Sequence, residues 1–173
     1  MPLSLKQFHE LSWNDVTVTV QGGLHPWYSL AVNDRPAEIL LVEDNPADVR
    51  LTEEALKEIR VVNKLHVLPN GEEALSFLYR RGAYGSAPRP DFVLLDWNLP
   101  KVDGSEVLEL IRKDKELNTI PVIVLTGSRE QTDVIMAYHL KADAYITKPV
   151  DASGFMTILE CCPGLGISLV VNS

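Results

Sequence analysis

Residues 92–100 read Phe92-Val93-Leu94-Leu95-Asp96-Trp97-Asn98-Leu99-Pro100, and this segment is the strongest indication of the fold. Four apolar residues end abruptly at a carboxylate. An apolar run this short, bounded by charge and proline, is typical of a strand that is buried on both faces of a parallel sheet. Ligands of open α/β sheets bind beside the carboxyl ends of the strands, so Asp96 lies where a binding or catalytic residue is expected.

The same pattern recurs along residues 37 to 150, where short apolar runs alternate five times with amphipathic stretches. The predicted strands are Ile39–Val42, Leu65–Leu68, Phe92–Asp96, Pro121–Thr126 and Ala144–Thr147. The predicted helices run from Asn45-Pro46 to about Arg60, from Glu72 to Arg81, from Asp103-Gly104 to about Lys113, from Glu130 to Leu140 and from Ala152 to about Cys161. This order predicts a doubly wound α/β fold, with a five-stranded parallel sheet covered on both faces.

Composition and charge argue against several classes of protein. The chain has 173 residues, and its net charge of -8 is the opposite of the basic stripe that nucleic-acid binding needs. No apolar stretch approaches the length of a membrane span, and the N-terminus lacks the apolar core of a signal peptide, so we expect a cytoplasmic protein without membrane contact. The only cysteines, Cys161 and Cys162, are adjacent and suit neither a disulfide framework nor a zinc site.

Two segments lie outside the α/β pattern, which we assign to a domain over residues 37–162. Residues 1–36 form an N-terminal extension, in which Val16 to Val20 alternate as in an exposed strand; this is a hairpin arm or a loosely held tail. Pro163 ends the last helix early, and residues 163–173 form a C-terminal tail that contains a short strand or an apolar end.

Polar side chains follow four of the five predicted strands. Glu43 and Asp44 come after the first strand, Asp96 ends the third, Thr126 ends the fourth and Lys148 follows the fifth. Because parallel strands end at the same edge of a sheet, we expect three carboxylates, a hydroxyl and an amine in one crevice.

This set contains the groups that phosphoryl transfer to Asp96 requires. Clustered carboxylates repel one another unless a cation joins them, and hard oxygen ligands with open positions suit Mg²⁺. A carboxylate beside such an ion can attack phosphorus, while an ammonium and a hydroxyl neutralise the transferring oxygens. Taken singly, each residue has an ordinary alternative: Asp44 or Asp48 as a helix cap, Thr126 as a strand residue and Lys148 as a surface lysine.

In their order and spacing, the motifs resemble the receiver domain of two-component response regulators over about residues 37–160. The matching motifs are Ile39-Leu40-Leu41-Val42-Glu43-Asp44-Asn45, Leu94 to Pro100, Asp103-Gly104, Val124-Leu125-Thr126-Gly127 and Tyr145-Ile146-Thr147-Lys148-Pro149. The loop Leu78 to Tyr84, with Pro88-Arg89-Pro90, is further similar to stand-alone receivers linked to phytochrome-type sensor kinases. The resemblance implies a flavodoxin-like receiver fold with strand order 2-1-3-4-5.

The resemblance also implies a phosphorylation site and a metal site. Asp96 is the expected phosphoacceptor. Asp44, Asp96 and the main-chain carbonyl of Asn98 are expected to bind Mg²⁺, with Glu43 alongside or acting through water. Lys148 is expected to pair with the phosphoryl group, next to a cis peptide bond.

A switch is the third implication of the resemblance. Thr126 is expected to move toward a phosphoryl oxygen and Tyr145 to turn inward, which changes the face of the fourth helix, fifth strand and fifth helix. The alternative for Tyr145 is a role in packing alone, because aromatic residues at a strand edge often serve only in packing. The face of the fourth helix and fifth strand is also the candidate homodimer surface, although Pro163 and residues 1–36 depart from the family pattern there.

The expected function follows from this resemblance. The receiver accepts a phosphoryl group from a sensor histidine kinase or a phosphotransfer protein onto Asp96, and it signals to a downstream protein partner. Too few residues follow position 150 for a DNA-binding domain, so we expect no contact with nucleic acid. Its own chemistry is limited to Mg²⁺-dependent self-phosphorylation and autodephosphorylation, and it is not expected to be an enzyme.

Two other functions are compatible with part of this pattern. An aspartyl-phosphate phosphatase or phosphotransferase of the haloacid dehalogenase type carries a second aspartate two residues after the nucleophile, where this chain has Asn98. A phosphorylation-independent interaction module would not need the full set of Asp44, Asp96, Thr126 and Lys148. Both alternatives are therefore disfavoured by particular residues.

Overall fold

The computed structural model describes residues 18–20, 23–25, 28–32, 35–127, 136–155 and 167–171. The strands are β1 (Val18–Val20), β2 (Gly23–His25), β3 (Tyr28–Val32), β4 (Ala37–Val42), β5 (Asn63–Leu68), β6 (Phe92–Asp96), β7 (Val122–Thr126), β8 (Ala144–Thr147) and β9 (Ile167–Val171). The helices with described bounds are α1 (Pro46–Glu58), α2 (Gly71–Leu78) and α3 (Gly104–Lys113). Residues 136–139 and 152–155 are also helical.

Five of the strands form one parallel sheet in the order β5-β4-β6-β7-β8. Numbered from β4 as the first strand of the sheet, this is the order 2-1-3-4-5, so the predicted topology is confirmed. Two interior strands of this sheet, β6 and β7, are buried along their whole length. Their continuous apolar sequences suit this position, because strands between two helical layers have no solvent-facing side.

The core consists of two apolar layers, one on each face of the sheet. Alternate residues of each strand point to opposite faces, so Ile39 and Leu41 of β4 belong to one layer and Leu40 and Val42 to the other. The first layer packs against Ala55 and Leu56 of α1 and Phe155, and the second packs against α2 and α3 through Ala74, Phe77, Val107, Leu108 and Ile111. This arrangement is the doubly wound architecture.

Helix α1 begins at the position that the sequence predicts. The side chain of Asn45 accepts a hydrogen bond of 2.9 Å from the Ala47 amide, and Pro46 occupies the first turn, where its missing N–H costs nothing. The cap is therefore Asn45, and the alternative capping role for Asp44 or Asp48 is wrong.

Helix α2 is shorter than predicted. It ends at Leu78 and not at Arg81, because Arg80 takes a left-handed backbone conformation with a φ of 53°. The loop after α2 contains a single 3₁₀ turn, Gly82–Tyr84, and the hydroxyl of Tyr84 donates a hydrogen bond of 2.8 Å to Glu73. The loop is thereby attached to the helix that precedes it.

Two small antiparallel pairs accompany the parallel sheet. Strand β1 pairs with β2, and β3 pairs with β9 in a register that joins Tyr28 to Val171 and Val32 to Ile167. The second pair links segments on either side of the α/β region in sequence. The division of the chain at residues 36 and 162 stays a prediction.

Part of the predicted structure lies outside the described residues. This holds for residues 130–135 of the predicted fourth helix, for residues 156–161 of the last helix and for both cysteines. In the part of the chain that the structure describes, no helix combines the length and the apolar character needed to cross a bilayer.

Candidate functional site

Neighbouring strands of the sheet bring the predicted site residues to one edge. The β4–β6 register pairs Val42 with Leu95, so the next residues, Glu43 and Asp96, leave the two strands side by side. The register of β6 with β7 pairs Asp96 with Leu125, one residue before Thr126. The amide of Lys148 donates a hydrogen bond of 2.8 Å to the carbonyl of Thr126, which fixes the segment after β8 at the same edge.

Three carboxylates meet at this edge. One oxygen each from Glu43, Asp44 and Asp96 lies within 4.8 Å of the other two. The Glu43 and Asp96 side chains are buried, and Asp44 is exposed. The main-chain amide of Asn45 donates a hydrogen bond of 3.0 Å to Glu43, which holds that carboxylate in place.

The ammonium group of Lys148 is surrounded by carboxylates. Its Nζ atom lies 2.5 Å from Oε2 of Glu43 and 3.1 Å from Oδ2 of both Asp96 and Asp48. The Lys148 side chain is only 14% exposed. An ammonium has three N–H donors, so these three carboxylates are enough to use all of them.

This environment keeps Lys148 charged. Burial alone would lower the pKa of the Lys148 ammonium, but the hydrogen bond to Glu43 and the charge of Asp96 outweigh burial, and the pKa is raised well above its usual range. Burial raises the pKa of the Glu43 carboxyl, and the hydrogen bond from Lys148 opposes that shift only in part. The site therefore combines a permanently charged ammonium with neighbouring carboxylates, whose ionised forms further positive charge would stabilise.

The donor set fits a hard divalent cation. Glu43, Asp44 and Asp96 offer only oxygen atoms, which are the ligands that Mg²⁺, Mn²⁺ and Ca²⁺ prefer. The exposed position of Asp44 leaves one side of the cluster open to water or to a phosphate oxygen. A partly solvated ion of the Mg²⁺ type suits such an open, carboxylate-lined edge.

The remaining predicted residues differ in their surroundings. Asn98 is exposed. Its main-chain N–H donates a hydrogen bond of 3.4 Å to Oδ1 of Asp96, so the loop after β6 turns back toward this carboxylate. The Thr126 side chain is buried. The Tyr145 side chain is 53% exposed on β8, so it lies outside the core in this state. Pro149 follows Lys148 through a cis peptide bond, as the resemblance implied.

Sequence reasoning missed the contact of Asp48 with the site. The sequence suggested only a capping role for Asp48, yet its carboxylate binds Lys148. The available signal was position: Asp48 lies in the first turn of the helix that begins directly after Glu43 and Asp44. A carboxylate in the first turn also interacts favourably with the helix dipole, so this position alone did not distinguish a site residue from a helix-stabilising residue.

Comparisons with known proteins agree with this geometry. The family model described as the response regulator receiver domain matches residues 39–160. Response regulator Rcp1 of Synechocystis is 48% identical over 113 residues, which are 65% of this chain and 77% of Rcp1. A structure of the Mn²⁺-bound form of Rcp1 has a TM-score of 0.64 at 42% identity, covering 73% of this chain and 91% of the other. The phosphorylated cyanobacterial phytochrome response regulator RcpA has a TM-score of 0.65 at 41% identity, covering 76% and 94%.

Proposed function

This chain belongs to the response regulator receiver family, whose members are phosphorylated on an aspartate in two-component signalling, and from this we propose that Asp96 accepts the phosphoryl group. One observation carries the assignment. Asp96 is a buried carboxylate at the carboxyl end of a central strand, 3.1 Å from the Lys148 ammonium and within reach of the Glu43 and Asp44 carboxylates. Nucleophile and charge-neutralising groups are thus already assembled.

The transfer step uses the side chains that are assembled at this edge of the sheet. An oxygen of the Asp96 carboxylate attacks the phosphorus of a phosphohistidine, and the new O–P bond forms as the N–P bond breaks. The electron pair of the broken bond stays on the imidazole nitrogen of the donor. Lys148 remains protonated and neutralises the phosphoryl oxygens, and the Thr126 hydroxyl donates a hydrogen bond to one of them.

Mg²⁺ is the cation that we assign to the acidic edge. The carboxylates of Glu43, Asp44 and Asp96 and the main-chain carbonyl of Asn98 would hold it. The oxygen-only donor set supports this assignment, and so does the relative Rcp1, of which a Mn²⁺-bound structure exists. When bound, such an ion neutralises charge on the carboxylates and on the transferring group.

The phosphorylated state would be transmitted through Thr126 and Tyr145. Thr126 ends β7, and β8, which carries Tyr145, pairs with it along the sheet. Movement of Thr126 toward the phosphoryl group vacates space behind it, and the exposed Tyr145 ring turns inward. The change is a two-state equilibrium that the new charge biases.

The phosphoryl donor that we assign is a sensor histidine kinase or a phosphotransfer protein. The similarity to phytochrome response regulators favours a phytochrome-type kinase. The output goes to a downstream protein partner, or to a second copy of the chain through residues 136–139 and β8. Met136, Tyr138 and Tyr145 are exposed apolar or aromatic side chains on these elements, which supports a contact surface there.

The chain acts as a signalling regulator, and we assign it no substrate turnover beyond self-phosphorylation and autodephosphorylation. The position of Asn98 supports this view, because a phosphatase of the haloacid dehalogenase type needs an acid/base group at that position. A carboxamide cannot transfer the proton that rapid turnover requires. Steady release of phosphate from small phosphate esters would contradict this part of the proposal.

Acetyl phosphate labelling tests the assignment of Asp96. We expect the wild-type chain with acetyl phosphate and Mg²⁺ to gain one phosphoryl group, measured by intact-protein mass spectrometry, and Asp96→Asn to gain none. Glu58→Gln is the matched control, because Glu58 is an exposed carboxylate at the far end of α1. Equal labelling of the wild type and Asp96→Asn would refute the assignment.

A further inference from the structure

Asp48 binds Lys148 from outside the carboxylate cluster that fits a cation. Building on the proposed function, we propose that Asp48 is a positioning residue that competes with the phosphoryl group for the Lys148 ammonium and thereby shortens the lifetime of phosphorylated Asp96.

The contact is built into the start of α1. Asn45 caps the helix and Pro46 fixes its first turn, so Asp48 has a defined place within that first turn. Its Oδ2 atom lies 3.1 Å from Nζ of Lys148, and its side chain is 26% exposed. Within the described residues, the carboxylate of Asp48 has no other ion-pair partner than Lys148. The contact therefore joins α1 directly to the segment that follows β8.

Donor counting shows why this contact matters after phosphorylation. The three N–H groups of Lys148 face Glu43, Asp48 and Asp96. A phosphoryl group on Asp96 adds further strong acceptor oxygens and negative charge, and it needs the ammonium as a donor. As long as Asp48 holds one N–H, the phosphoryl group shares the ammonium with a competing carboxylate.

This competition acts on hydrolysis of the acyl phosphate. In that step a water oxygen bonds to phosphorus, the bond from phosphorus to the Asp96 oxygen breaks with its electron pair returning to the carboxylate, and a water proton leaves to solvent. A loose transition state spreads its charge over three equatorial oxygens, so we expect a single ammonium to stabilise it less than it stabilises the acyl phosphate. An ammonium withheld by Asp48 therefore destabilises the phosphorylated ground state more than the transition state, and hydrolysis is faster.

The test compares phosphoryl lifetimes of the wild type, Asp48→Asn, Asp48→Glu and the control Glu58→Gln at saturating Mg²⁺. Each chain is labelled with acetyl phosphate, freed of the donor, and followed by the phosphoryl mass and by released inorganic phosphate. We expect a half-life for Asp48→Asn roughly fivefold longer than that of the wild type, or about 1 kcal/mol in the barrier, as for a partly exposed ion pair. Asp48→Glu keeps the charge and is expected closer to the wild type.

The outcomes separate this inference from the proposed function. If the wild type takes no label, the assignment of Asp96 fails and this inference fails with it. If the wild type is labelled and Asp48→Asn has an equal or shorter half-life, only the role of Asp48 is overturned. Thermal unfolding by circular dichroism accompanies each variant, because a purely structural role would lower the unfolding temperature without lengthening the half-life.

Discussion

Gly104 lies directly against the backbone of Asp96. A Cβ atom at position 104 would stand 2.3 Å from the carbonyl oxygen of Asp96 and 2.8 Å from that of Trp97, closer than such atoms approach. The Gly104 amide also donates a hydrogen bond of 3.1 Å to the Trp97 carbonyl. The start of α3 therefore supports the loop that follows the candidate phosphorylation site, and a side chain at this position has no room.

Gly104→Ala is expected to destabilise the fold by about 1–3 kcal/mol, the usual cost of overpacking a filled site. The measurement is urea unfolding followed by circular dichroism. Gly85→Ala is the control, because a Cβ atom there would make only an ordinary contact of 3.7 Å with Gly82. Equal stability of Gly104→Ala and the wild type would contradict the close approach.

Lys148→Met is expected to lower the free energy of unfolding by about 3 kcal/mol without divalent cations, because it leaves the buried carboxylates of Glu43 and Asp96 without their counter-charge. Added Mg²⁺ should restore part of the loss through binding to the folded state. Urea unfolding with and without Mg²⁺ measures both effects. The exposed Lys57 pairs only with Glu54 in the described structure, so Lys57→Met should change stability by no more than about 0.5 kcal/mol.

Tyr84→Phe is expected to cost about 1 kcal/mol near neutral pH, because it removes the hydrogen bond that the Tyr84 hydroxyl donates to Glu73. That hydrogen bond raises the pKa of Tyr84 above its usual value of 10.0. A raised pKa means that the folded state holds the proton more tightly than the unfolded state. The contribution is therefore fully present below pH 10 and disappears as the pH rises through the folded-state pKa.

Urea unfolding of the wild type and Tyr84→Phe at a series of pH values measures this dependence. The stability difference should be constant at neutral pH and shrink in the alkaline range. Tyr79→Phe is the control, since the ring of Tyr79 stacks under Arg81 and no hydrogen bond of its hydroxyl is seen among the described residues. A difference that is independent of pH up to strongly alkaline conditions would rule out the hydroxyl contact.

Arg112→Lys is expected to cost about 1–3 kcal/mol although it keeps the charge. The guanidinium donates to the carbonyls of Lys141, Asn118 and Ile120 and pairs with Asp143, a combination that a single ammonium cannot reproduce. Thermal unfolding gives the comparison. As a control, Lys113→Arg alters the neighbouring exposed residue, whose pair with Glu109 spans one helical turn, and should have little effect.

Much of the sheet could be predicted because most of its strands are short apolar runs that can be recognised in the sequence. The bounds predicted for β6 match those observed. The continuous apolar run indicates a strand that is buried on both faces, and the charged Asp96 marks its end. The edge strand β5 begins at Asn63, two residues before the predicted Leu65. All of its residues except Leu68 are partly or fully exposed, so polar Asn63 and Lys64 can belong to it without an apolar pattern.

Features that depend on distant contacts could not be predicted. Helix α2 ends where Arg80 takes a left-handed backbone conformation. The usual sequence signal for such a helix end is a glycine, which this position lacks. The contact of Asp48 with Lys148 joins residues one hundred positions apart. The pairing of Tyr28 with Val171 likewise could not be predicted from either segment alone. Alternation of apolar and polar residues shows that a segment can form a strand, but it does not identify the strand with which it pairs.

The pairing of β3 with β9 has a practical consequence for rearranging the chain. Strand β9 ends at Val171 directly opposite Tyr28, where β3 begins, so a turn of about two residues between these positions would convert the pair into a β-hairpin. A circular permutant joined there could take its new ends in the segment between α3 and β7, on the surface away from Asp96. The order of the strands along the polypeptide would then change while their order in space stayed the same.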